Sequence, residues 1–394
     1  MKIVYFLTNY PYYSETFVAE EIQQLHTAGH EVVVCNFTWY KREQDGLSEK
    51  VLNNTKNPVL LLLATLSNLV RRKSLFFSIK TWRYLFACVS KRPDFFLKYV
   101  YMLFSLDFMQ NQVEKEKINL AISHFLFKST LAGKFICDSL ETKYHIRLHT
   151  KRSLYPDFVL RDILNSSSAI TAESRDVGDF YEEFLNKPNS IKVIRQSINL
   201  ERLAEIRDEA NSLKKVNLIA IGRLVKKKGF GLLIKAIAKC EGNVQKSINL
   251  SIYGDGPLEE ELRNIICNNG LQSVVTLKGM YEHTQLMKAL AESDLLIVPS
   301  VELKNDIDGV PTVIAEAMAV KTPVLATPIA GIEEMVIHQK TGFISPANNV
   351  EGLAEVLSGL VVDGNLRNRV VEQAFEKVSL EYRLTLAEEI GINT

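Results

Sequence analysis

Two cationic side chains near the middle of the chain have the types and the spacing of a phosphate site. Arg223 and Lys228 belong to a basic stretch, 222–229, that begins and ends with glycine. A guanidinium presents a planar fork of donors to phosphate oxygens and an ammonium acts as a point charge, so together they suit a diphosphate. The helix predicted directly after the stretch would add backbone N–H donors at its N-terminus. A solvated basic loop has the same composition, and this interpretation accounts for Lys226 and Lys227.

A second candidate is a pair of carboxylates, Asp308 and Glu316, eight residues apart. Pro311 between them suits the first turn of a helix, which places Asp308 in the preceding loop and Glu316 one to two turns along the helix. Two such carboxylates could contact different parts of one ligand, while N–H groups at the helix start would face an anion. Glu316 could instead be an ordinary surface residue, but its apolar neighbours in the sequence favour a position that requires a partner.

A glycine-containing turn, Gly254-Asp255-Gly256-Pro257, follows a predicted strand of the second half. Residues without a Cβ allow a sharp turn and a close approach of the backbone to a ligand. A plain turn explains the same residues equally well, so both interpretations stay open.

In the first half of the chain, polar side chains follow predicted strands. His124 ends the strand at 118–123, and His149 ends the strand at 144–148. Ligands bind at the carboxyl edge of open parallel sheets, so both histidines are candidates for a site. A lone histidine is more often structural, and that alternative stays open for each of them.

The first loop, Ser14-Glu15-Thr16-Phe17, contains no glycine, unlike the loops of the second half. This difference predicts that a nucleotide binds in the second half and the other substrate in the first. The hydroxyl groups of Ser14 and Thr16 could contact a donor or an acceptor molecule. Ser14 could also cap the following helix, and the two roles are compatible.

The framework that positions these residues is an alternation of strands and helices in both halves. Residues 3–7 and 31–35 have the pattern of buried strands, and the helix between them carries an apolar stripe of Val18, Ile22 and Leu25. A strand, a helix and a strand this close together predict a right-handed parallel unit. After a charged stretch the same pattern restarts. The sequence therefore predicts an α/β protein with two Rossmann-like domains facing a central cleft.

The composition argues against several classes of protein. The 394 residues carry a formal net charge of +1, so nucleic acid is not expected as a partner. The five cysteines are scattered without a C-x-x-C pair, which argues against a disulfide framework or a zinc site. No segment reaches the roughly 18 apolar residues that span a bilayer, and the N-terminal residues lack a signal-peptide pattern. These observations predict a cytoplasmic location.

Residues 58–110 differ in character from the rest, with eight Lys or Arg, two Asp or Glu and eleven aromatic residues. One interpretation is a pair of helices that pack on the domain with a solvated basic face. The other is a surface that contacts anionic lipid on the inner face of the cell membrane, as basic aromatic amphipathic helices do. The sequence leaves both open.

Six motifs of the second half occur in an order and spacing that resemble glycosyltransferase family 4, a family of retaining enzymes with the GT-B fold. They are Gly222-Arg223-Leu224 with Lys228-Gly229, 253–257, 298–300, 308–311 with 316–319, 323–336, and 341–342. Two fainter matches in the first half resemble the subgroup that builds bacterial exopolysaccharides, colanic acid and O-antigens. These are Ser14-Glu15-Thr16-Phe17 and Ser123-His124-Phe125.

The resemblance implies a role for each matched residue. Arg223 and Lys228 match the pair that binds the donor diphosphate, and Glu316 matches the second glutamate of the E-x7-E motif, which contacts the ribose. Asp308 stands where the first glutamate contacts the transferred sugar, and His124 matches the first-domain histidine near the reacting centre. The implied donor-binding residues are Gly222, Arg223, Lys228, Gly254, Gly256, Gly309, Val310, Pro311, Thr312 and Glu316. The implied acceptor side consists of Ser14, Thr16 and His149.

Three positions depart from the family pattern. Asp308 is one methylene shorter than the glutamate expected there, and the nearby Asp306 could compensate. Gln196-Ser197 replaces an asparagine-glycine pair near the interdomain hinge, and Ile122 replaces the first histidine of an H-x-H pattern. These departures concern the sugar side of the site.

The resemblance implies transfer of a sugar from a UDP- or GDP-linked donor to a glycan or lipid-linked oligosaccharide, with retention of anomeric configuration, in cell-surface polysaccharide biosynthesis. Since the cations Arg223 and Lys228 could stabilise the diphosphate, neither a metal nor another cofactor is expected. The predicted organisation is an acceptor domain over 1–197, a nucleotide-sugar domain over 198–375, and a helix within 376–394 that packs back on the first domain. Two alternatives remain open. One is a non-catalytic nucleotide-sugar-binding or assembly subunit, which Asp308 favours, and the other is another GT-B enzyme such as a nucleotide-sugar epimerase.

Overall fold

The chain folds into two compact units. One is Met1–Arg195 and the other is the described part of Gln196–Leu384; they are named here the first and the second domain. In this computed structural model the described residues are 1–8, 10, 16–37, 49–71, 73–195, 198, 203, 215–303, 310–329 and 331–382.

The first domain is built on a sheet of seven parallel strands. They are β1 (Lys2–Leu7), β2 (Glu31–Asn36), β3 (Lys50–Asn53), β4 (Leu120–His124), β5 (Lys143–Leu148), β6 (Ala169–Ala172) and β7 (Ile191–Val193). Their spatial order is β3-β2-β1-β4-β5-β6-β7. The order reverses between β1 and β4, so the topological switch point of the sheet lies there, at the edge where ligands bind in such folds.

Helices cover this sheet. Within the described residues they are α1 (Thr16–Thr27), α2 (Pro58–Val70), α3 (Ile79–Lys91), α4 (Phe96–Glu116), α5 (Lys128–Leu140), α6 (Asp157–Ser166) and α7 (Arg175–Glu182). The predicted stripe of α1 is confirmed, because Val18, Ile22 and Leu25 are buried in one cluster with residues of β1 and β2. β3 and β7 were not predicted, since each is a short outer strand without a run of buried apolar residues.

Residues 58–110 form three α-helices, so the prediction of a pair is wrong. α2 packs along α4, where the side chain of Asn68 donates a hydrogen bond of 3.3 Å to the main-chain oxygen of Asp107. The carboxylate of Asp107 in turn accepts from the Leu75 N–H at 2.7 Å. These buried polar contacts fix the turn between α2 and α3. No helix in the described part of the chain is both long and apolar enough to cross a membrane.

The second domain repeats the plan with six parallel strands. They are β8 (Val216–Ile221), β9 (Ile248–Tyr253), β10 (Val275–Gly279), β11 (Leu295–Val298), β12 (Val324–Ala326) and β13 (Phe343–Ile344). Their order is β10-β9-β8-β11-β12-β13, with the switch point between β8 and β11. Each strand lies within a residue or two of its predicted position. The predicted fold class, α/β with two Rossmann-like domains, is confirmed.

The described helices of the second domain are α8 (Phe230–Lys239), α9 (Gly242–Lys246), α10 (Glu259–Asn268), α11 (His283–Ala291), α12 (Thr312–Ala319), α13 (Val350–Val362), α14 (Gly364–Asn368) and α15 (Val371–Glu381). α15 packs against α12, and its Ala374 and Val378 belong to a core cluster of the second domain. The predicted boundary after residue 375 therefore falls inside a helix. Residues 383–394 lie outside the described residues, so their packing on the first domain stays a prediction.

Candidate functional site

The glycine-containing loops that follow β8 and β9 are in direct main-chain contact with each other. The N–H of Gly222 donates to the Tyr253 oxygen at 2.9 Å, and the N–H of Leu224 donates to the Asp255 oxygen at 2.7 Å. Gly254 has a φ of +139°, and a Cβ placed on it would lie 1.9 Å from the Gly222 oxygen. A side chain at position 254 is thus excluded both by conformation and by space.

The loop after β8 also contacts the end of β11. The N–H of Val301 donates to the Lys227 oxygen at 2.9 Å. Gly229 has a φ of +68°, and a Cβ on it would lie 1.8 Å from the Pro299 oxygen. The ends of β8, β9 and β11 therefore converge at the switch point of the second domain, as the strand-end rule predicts.

The two predicted phosphate ligands lie on this group of loops. The Cδ and Cε atoms of Lys228 lie 3.4 Å from the position that a Cβ of Gly222 would take, so the lysine side chain packs over this glycine. Arg223 directly follows Gly222 and is exposed, while Lys228 is half-buried. Both cations thus remain reachable from solvent at the carboxyl edge of the sheet.

Glu316 lies on α12 in an almost buried position, with 13% of its side chain exposed. Its Oε1 atom lies 2.9 Å from Nε2 of His283, the first residue of α11. The partner that its apolar surroundings require is therefore a histidine to which the sequence analysis gave no role. Pro311 is the N-cap of α12, one position before the predicted first turn.

Several candidates cannot be placed. Asp308, Gly309, Ser14, Asp306 and the pair 196–197 lie outside the described residues. Thr16 begins α1, but its side chain is not described. Val310 and Thr312 are half-buried on either side of the N-cap proline.

In the first domain, charged and polar side chains from four elements meet beside the switch point. Glu21 on α1 is buried and accepts hydrogen bonds from the Tyr5 hydroxyl on β1 at 2.5 Å and from Nε2 of His124 on β4 at 3.2 Å. Its second oxygen lies 3.2 Å from Nη1 of Arg147 on β5. Burial alone would raise the pKa of Glu21, but the charge of Arg147 and the hydrogen bonds from His124 and Tyr5 hold it well below its usual range. The carboxylate is therefore ionised at neutral pH.

The two histidines predicted at strand ends are in direct contact. Nδ1 of His124 lies 2.9 Å from Nε2 of His149, and Nδ1 of His149 lies 3.0 Å from Oε2 of Glu173. The rings of Phe17 and Phe125 pack against His149 at centroid distances of 5.0 and 4.6 Å. Burial lowers the pKa of His124 to about 4 and that of His149 to about 3, so both rings are neutral at pH 7.

Both ring nitrogens of His124 are engaged inside the domain, one by Glu21 and the other by His149. The sequence analysis missed Glu21, Arg147 and Glu173. Arg147 and His149 are two residues apart, a spacing that places side chains on the same face of a strand. Glu173 follows β6 at the same edge of the sheet, so the strand-end rule could have found it.

Comparisons with known proteins agree with this description. Residues 202–377 match the family model described as glycosyl transferases group 1. The chain is 29% identical over 197 residues to the putative colanic acid biosynthesis glycosyltransferase WcaL of Salmonella typhimurium, covering 50% of this chain and 48% of the relative. It is 30% identical over 201 residues to the amylovoran biosynthesis glycosyltransferase AmsK of Erwinia amylovora, again covering 50% and 48%.

The chain thus spans about half the length of these curated relatives. Among solved structures, Anabaena HepE in complex with UDP and glucose superimposes with a TM-score of 0.72 at 18% identity, covering 100% of this chain and 98% of HepE. This likeness shows the fold, which is that of the GT-B class. The second domain is thus similar to the glycosyl transferases group 1 family over residues 202–377, and the two Rossmann-like sheets give the chain the GT-B fold.

Proposed function

We propose that the protein transfers a hexose from a UDP- or GDP-linked donor to a glycan or lipid-linked oligosaccharide, with retention of anomeric configuration, in cell-surface polysaccharide biosynthesis. The observation that carries the proposal is the convergence of the ends of β8, β9 and β11. Their loops place Arg223 and Lys228 beside glycine backbone. Such a surface suits a diphosphate, because glycine allows close approach and the two cations supply charge.

The chemical role of these cations follows from the leaving group. When the bond between sugar and diphosphate breaks, negative charge develops on the departing phosphate oxygens. Arg223 and Lys228 stabilise that charge from fixed positions, which is electrostatic preorganisation. The acceptor hydroxyl attacks on the same face, and the departing phosphate takes its proton. We propose that these cations serve in place of a metal ion, and within the described residues no group of three or more metal-ligating side chains converges.

We propose that Glu316 contacts the ribose of the donor and that the transferred sugar lies near His124. His283 holds Glu316 in one orientation before a donor arrives. Contact between His124 and a sugar hydroxyl requires one of its two internal hydrogen bonds to open or to be shared, since both ring nitrogens are engaged. We propose that Asp308 and Gly309 contact the transferred sugar. We propose that His149, Ser14 and Thr16 contact the acceptor.

The relatives support the class of reaction. WcaL and AmsK are named for the biosynthesis of two exopolysaccharides, colanic acid and amylovoran. HepE was solved with UDP and glucose, the two parts of a nucleotide sugar. These names favour a nucleotide-sugar donor and a polysaccharide product for this chain.

Turnover with a panel of donors tests the proposal. UDP- and GDP-sugars are first screened by thermal shift, because a ligand that binds only the folded state raises its apparent stability. The stabilising donor is then incubated with lipid-linked oligosaccharides, and release of the nucleoside diphosphate is measured. We expect release that depends on the acceptor and falls in Glu316→Ala but not in Glu355→Ala, a control on α13. Donor binding without release across the acceptors would favour the non-catalytic binding subunit, and a new free nucleotide sugar would favour an epimerase.

We further propose that α2 and α3 hold the protein on the anionic inner surface of the cell membrane. The side chains on the outer face of α2 are between 44% and 85% exposed. They are Val59, Leu60, Leu62, Leu63, Leu66, Leu69 and Val70. Phe77, Ile79 and Phe86 add further exposed apolar area.

The charges around this apolar face favour an anionic lipid surface over another protein. Lys56 precedes α2, and Arg71 and Lys73 follow it, so basic residues lie at both of its ends. Arg71 and Lys73 share the single carboxylate of Glu114, at 3.7 and 3.0 Å, which leaves the end of the helix positive. Apolar side chains flanked by cations are the pattern of interfacial helices.

Vesicle sedimentation tests the membrane surface. We expect binding to vesicles that contain phosphatidylglycerol, weaker binding at high salt, and weak binding to phosphatidylcholine alone. The double variant Leu62→Ser/Leu66→Ser should lose most of the binding, whereas Val362→Ser, an exposed apolar residue of the second domain, should keep it. Equal binding of both variants would contradict the proposal.

A further inference from the structure

Two phenylalanines in the segment between β4 and α5 lie outside the core of the first domain. Phe125 and Phe127 are half-buried, and neither is a member of a hydrophobic core cluster of the described residues. Leu126 between them is 2% exposed and belongs to the core of the first domain. Burial of Leu126 therefore anchors the segment, and the two aromatic side chains beside it are not needed to fill the core.

The two rings stack on each other and continue into a larger aromatic surface. Their centroids are 5.2 Å apart and their planes are inclined by 15°. The ring of Phe17 on α1 meets the ring of Phe125 edge-on at 6.2 Å, and Phe125 lies 4.6 Å from the ring of His149. Phe17, Phe125 and Phe127 are named here the aromatic platform. It borders the histidine that we propose to contact the acceptor.

The main chain of Phe125 adopts a conformation that is costly for its residue type. Its φ is +64°, and a bulky side chain rarely occurs in this left-handed region. The other non-glycine residues with positive φ in the described part of the chain all have polar side chains. They are Lys117, Glu141, Asn189, Lys321, Gln339 and Asn348. Strain of this kind is concentrated at ligand-binding and active sites, so the position of the Phe125 ring calls for a functional explanation.

Hydrogen bonds fix the main chain of both stacked residues. The N–H of Phe125 donates to the Arg147 oxygen at 3.0 Å, and the Thr130 hydroxyl donates to the Phe125 oxygen at 2.7 Å. The Phe127 oxygen accepts from the Thr130 N–H at 2.9 Å and from the Tyr155 hydroxyl. The segment that carries the two rings is thus ordered before a ligand binds, which lowers the entropic cost of binding.

We propose that the aromatic platform binds a pyranose ring of the acceptor glycan by stacking. The face of an aromatic ring is electronegative, and the C–H groups on one face of a pyranose carry partial positive charge, so the two faces attract each other. The rim of a pyranose is polar, which suits aromatic rings that border a histidine. An acyl chain would instead require a continuous apolar surface, such as the outer face of α2. This role rests on the proposed function, because it concerns the acceptor of that reaction.

Saturation-transfer NMR tests the stacking without any turnover. The aromatic protons of the protein are irradiated in the presence of a methyl galactopyranoside, glucopyranoside or mannopyranoside, and saturation of the sugar C–H protons is recorded. We expect transfer concentrated on one face of at least one of these sugars. Phe125→Asn and Phe127→Leu should each reduce it several-fold, whereas Phe158→Leu, which removes an exposed ring on α6, should keep it. No transfer in the wild type, or equal transfer in the wild type and both platform variants, would overturn the proposal.

The two platform variants separate loss of binding from loss of folding. Asparagine adopts positive φ more readily than most residues, so Phe125→Asn is compatible with the main chain at that position. Phe127 has an ordinary φ of −104°, so Phe127→Leu adds no backbone strain. Circular dichroism should show native secondary structure in both variants. Loss of transfer in a folded variant supports the platform, and unchanged transfer in both folded variants contradicts it.

Steady-state kinetics with the acceptor provide the second readout. A contact between aromatic rings is worth up to about tenfold in affinity, and we expect a comparable rise in the KM for the acceptor in Phe127→Leu. The KM for the donor should stay constant, because its proposed phosphate contacts lie in the second domain. An unchanged KM for the acceptor would contradict the platform. If the wild type turns over no donor, the proposed function fails, while the saturation-transfer result still decides whether the platform binds a sugar.

Discussion

The two domains share one strand order but place charge differently at the carboxyl edge of their sheets. In the first domain the switch point is filled by Glu21, His124 and Arg147, which are buried and hydrogen-bonded to one another. In the second domain the same edge is formed by glycine loops, and Arg223 and Lys228 lie on its outside. Buried, paired charges are costly to disturb, whereas a cation that reaches solvent can bind a ligand. We therefore expect charge changes to affect stability in the first domain and donor binding in the second.

The largest effect is expected from Glu21→Ala. Removing one partner of a buried ion pair leaves Arg147 uncompensated, which costs about 3–5 kcal/mol. Urea denaturation should show this loss in the free energy of unfolding of the first domain. Glu20→Ala on the same helix is the matched control, and we expect it to lose less than about 0.5 kcal/mol. Equal losses of unfolding free energy in Glu21→Ala and Glu20→Ala would contradict the expectation that the buried charges of the first domain stabilise its fold.

A smaller loss, about 1–3 kcal/mol, is expected from Gly254→Ala, because the new Cβ would meet the Gly222 oxygen at a strained φ. Gly242→Ala has open space around it and should be nearly neutral. The measurement is the denaturant midpoint of the second domain. A stable Gly254→Ala protein that keeps donor affinity would show that the close approach of the two loops is not required.

The pH dependence of stability sharpens the role of Glu21. Its pKa is lowered in the folded state, so the unfolded chain binds more protons once the pH falls below about 4.5, the ordinary carboxyl range. The stability that Glu21 contributes is present above that pH and is lost below it. The difference in free energy of unfolding between wild type and Glu21→Gln should therefore narrow with falling pH by up to about 1.4 kcal/mol per pH unit. A constant difference would mean that the carboxylate is not held ionised by its partners.

The smallest effect is expected at His283, which orients the almost buried Glu316. Loss of one hydrogen bond is worth about 0.5–1.5 kcal/mol, so His283→Ala should weaken donor binding roughly two- to tenfold. Gln285→Ala, exposed on the same helix, should leave the affinity unchanged. Tighter binding in His283→Ala would show that the histidine competes with the ribose.

The sequence predicted the second domain better than the first for a physical reason. Its strands are runs of β-branched and aliphatic residues, and its loops carry glycines whose conformations need that residue type, as at Gly229 and Gly254. Local patterns of this kind can be read from neighbouring residues in the sequence. The glycine-bounded stretch 222–229 is one of them, and it identified Arg223 and Lys228 as candidate phosphate ligands.

The first-domain network depends on contacts between residues far apart in sequence. Glu21 and His124 are separated by 103 residues, and no local pattern relates them. His124 and His149 lie at strand ends as the sequence predicted, but their contact with each other depends on the pairing of β4 with β5. His283 was missed for the same reason, because its partner lies 33 residues away.

The central claim is that the exposed Arg223 of the second domain binds the donor diphosphate without supporting the fold. Titration calorimetry of the nucleoside diphosphate of the stabilising donor against wild type, Arg223→Ala and Lys226→Ala tests it most directly. We predict that Arg223→Ala loses on the order of tenfold or more in affinity, since hydrogen bonds to charged groups are worth about 1.5–3 kcal/mol, with an unchanged free energy of unfolding. Lys226→Ala should bind as the wild type does. Equal affinity of Arg223→Ala and wild type would contradict the account.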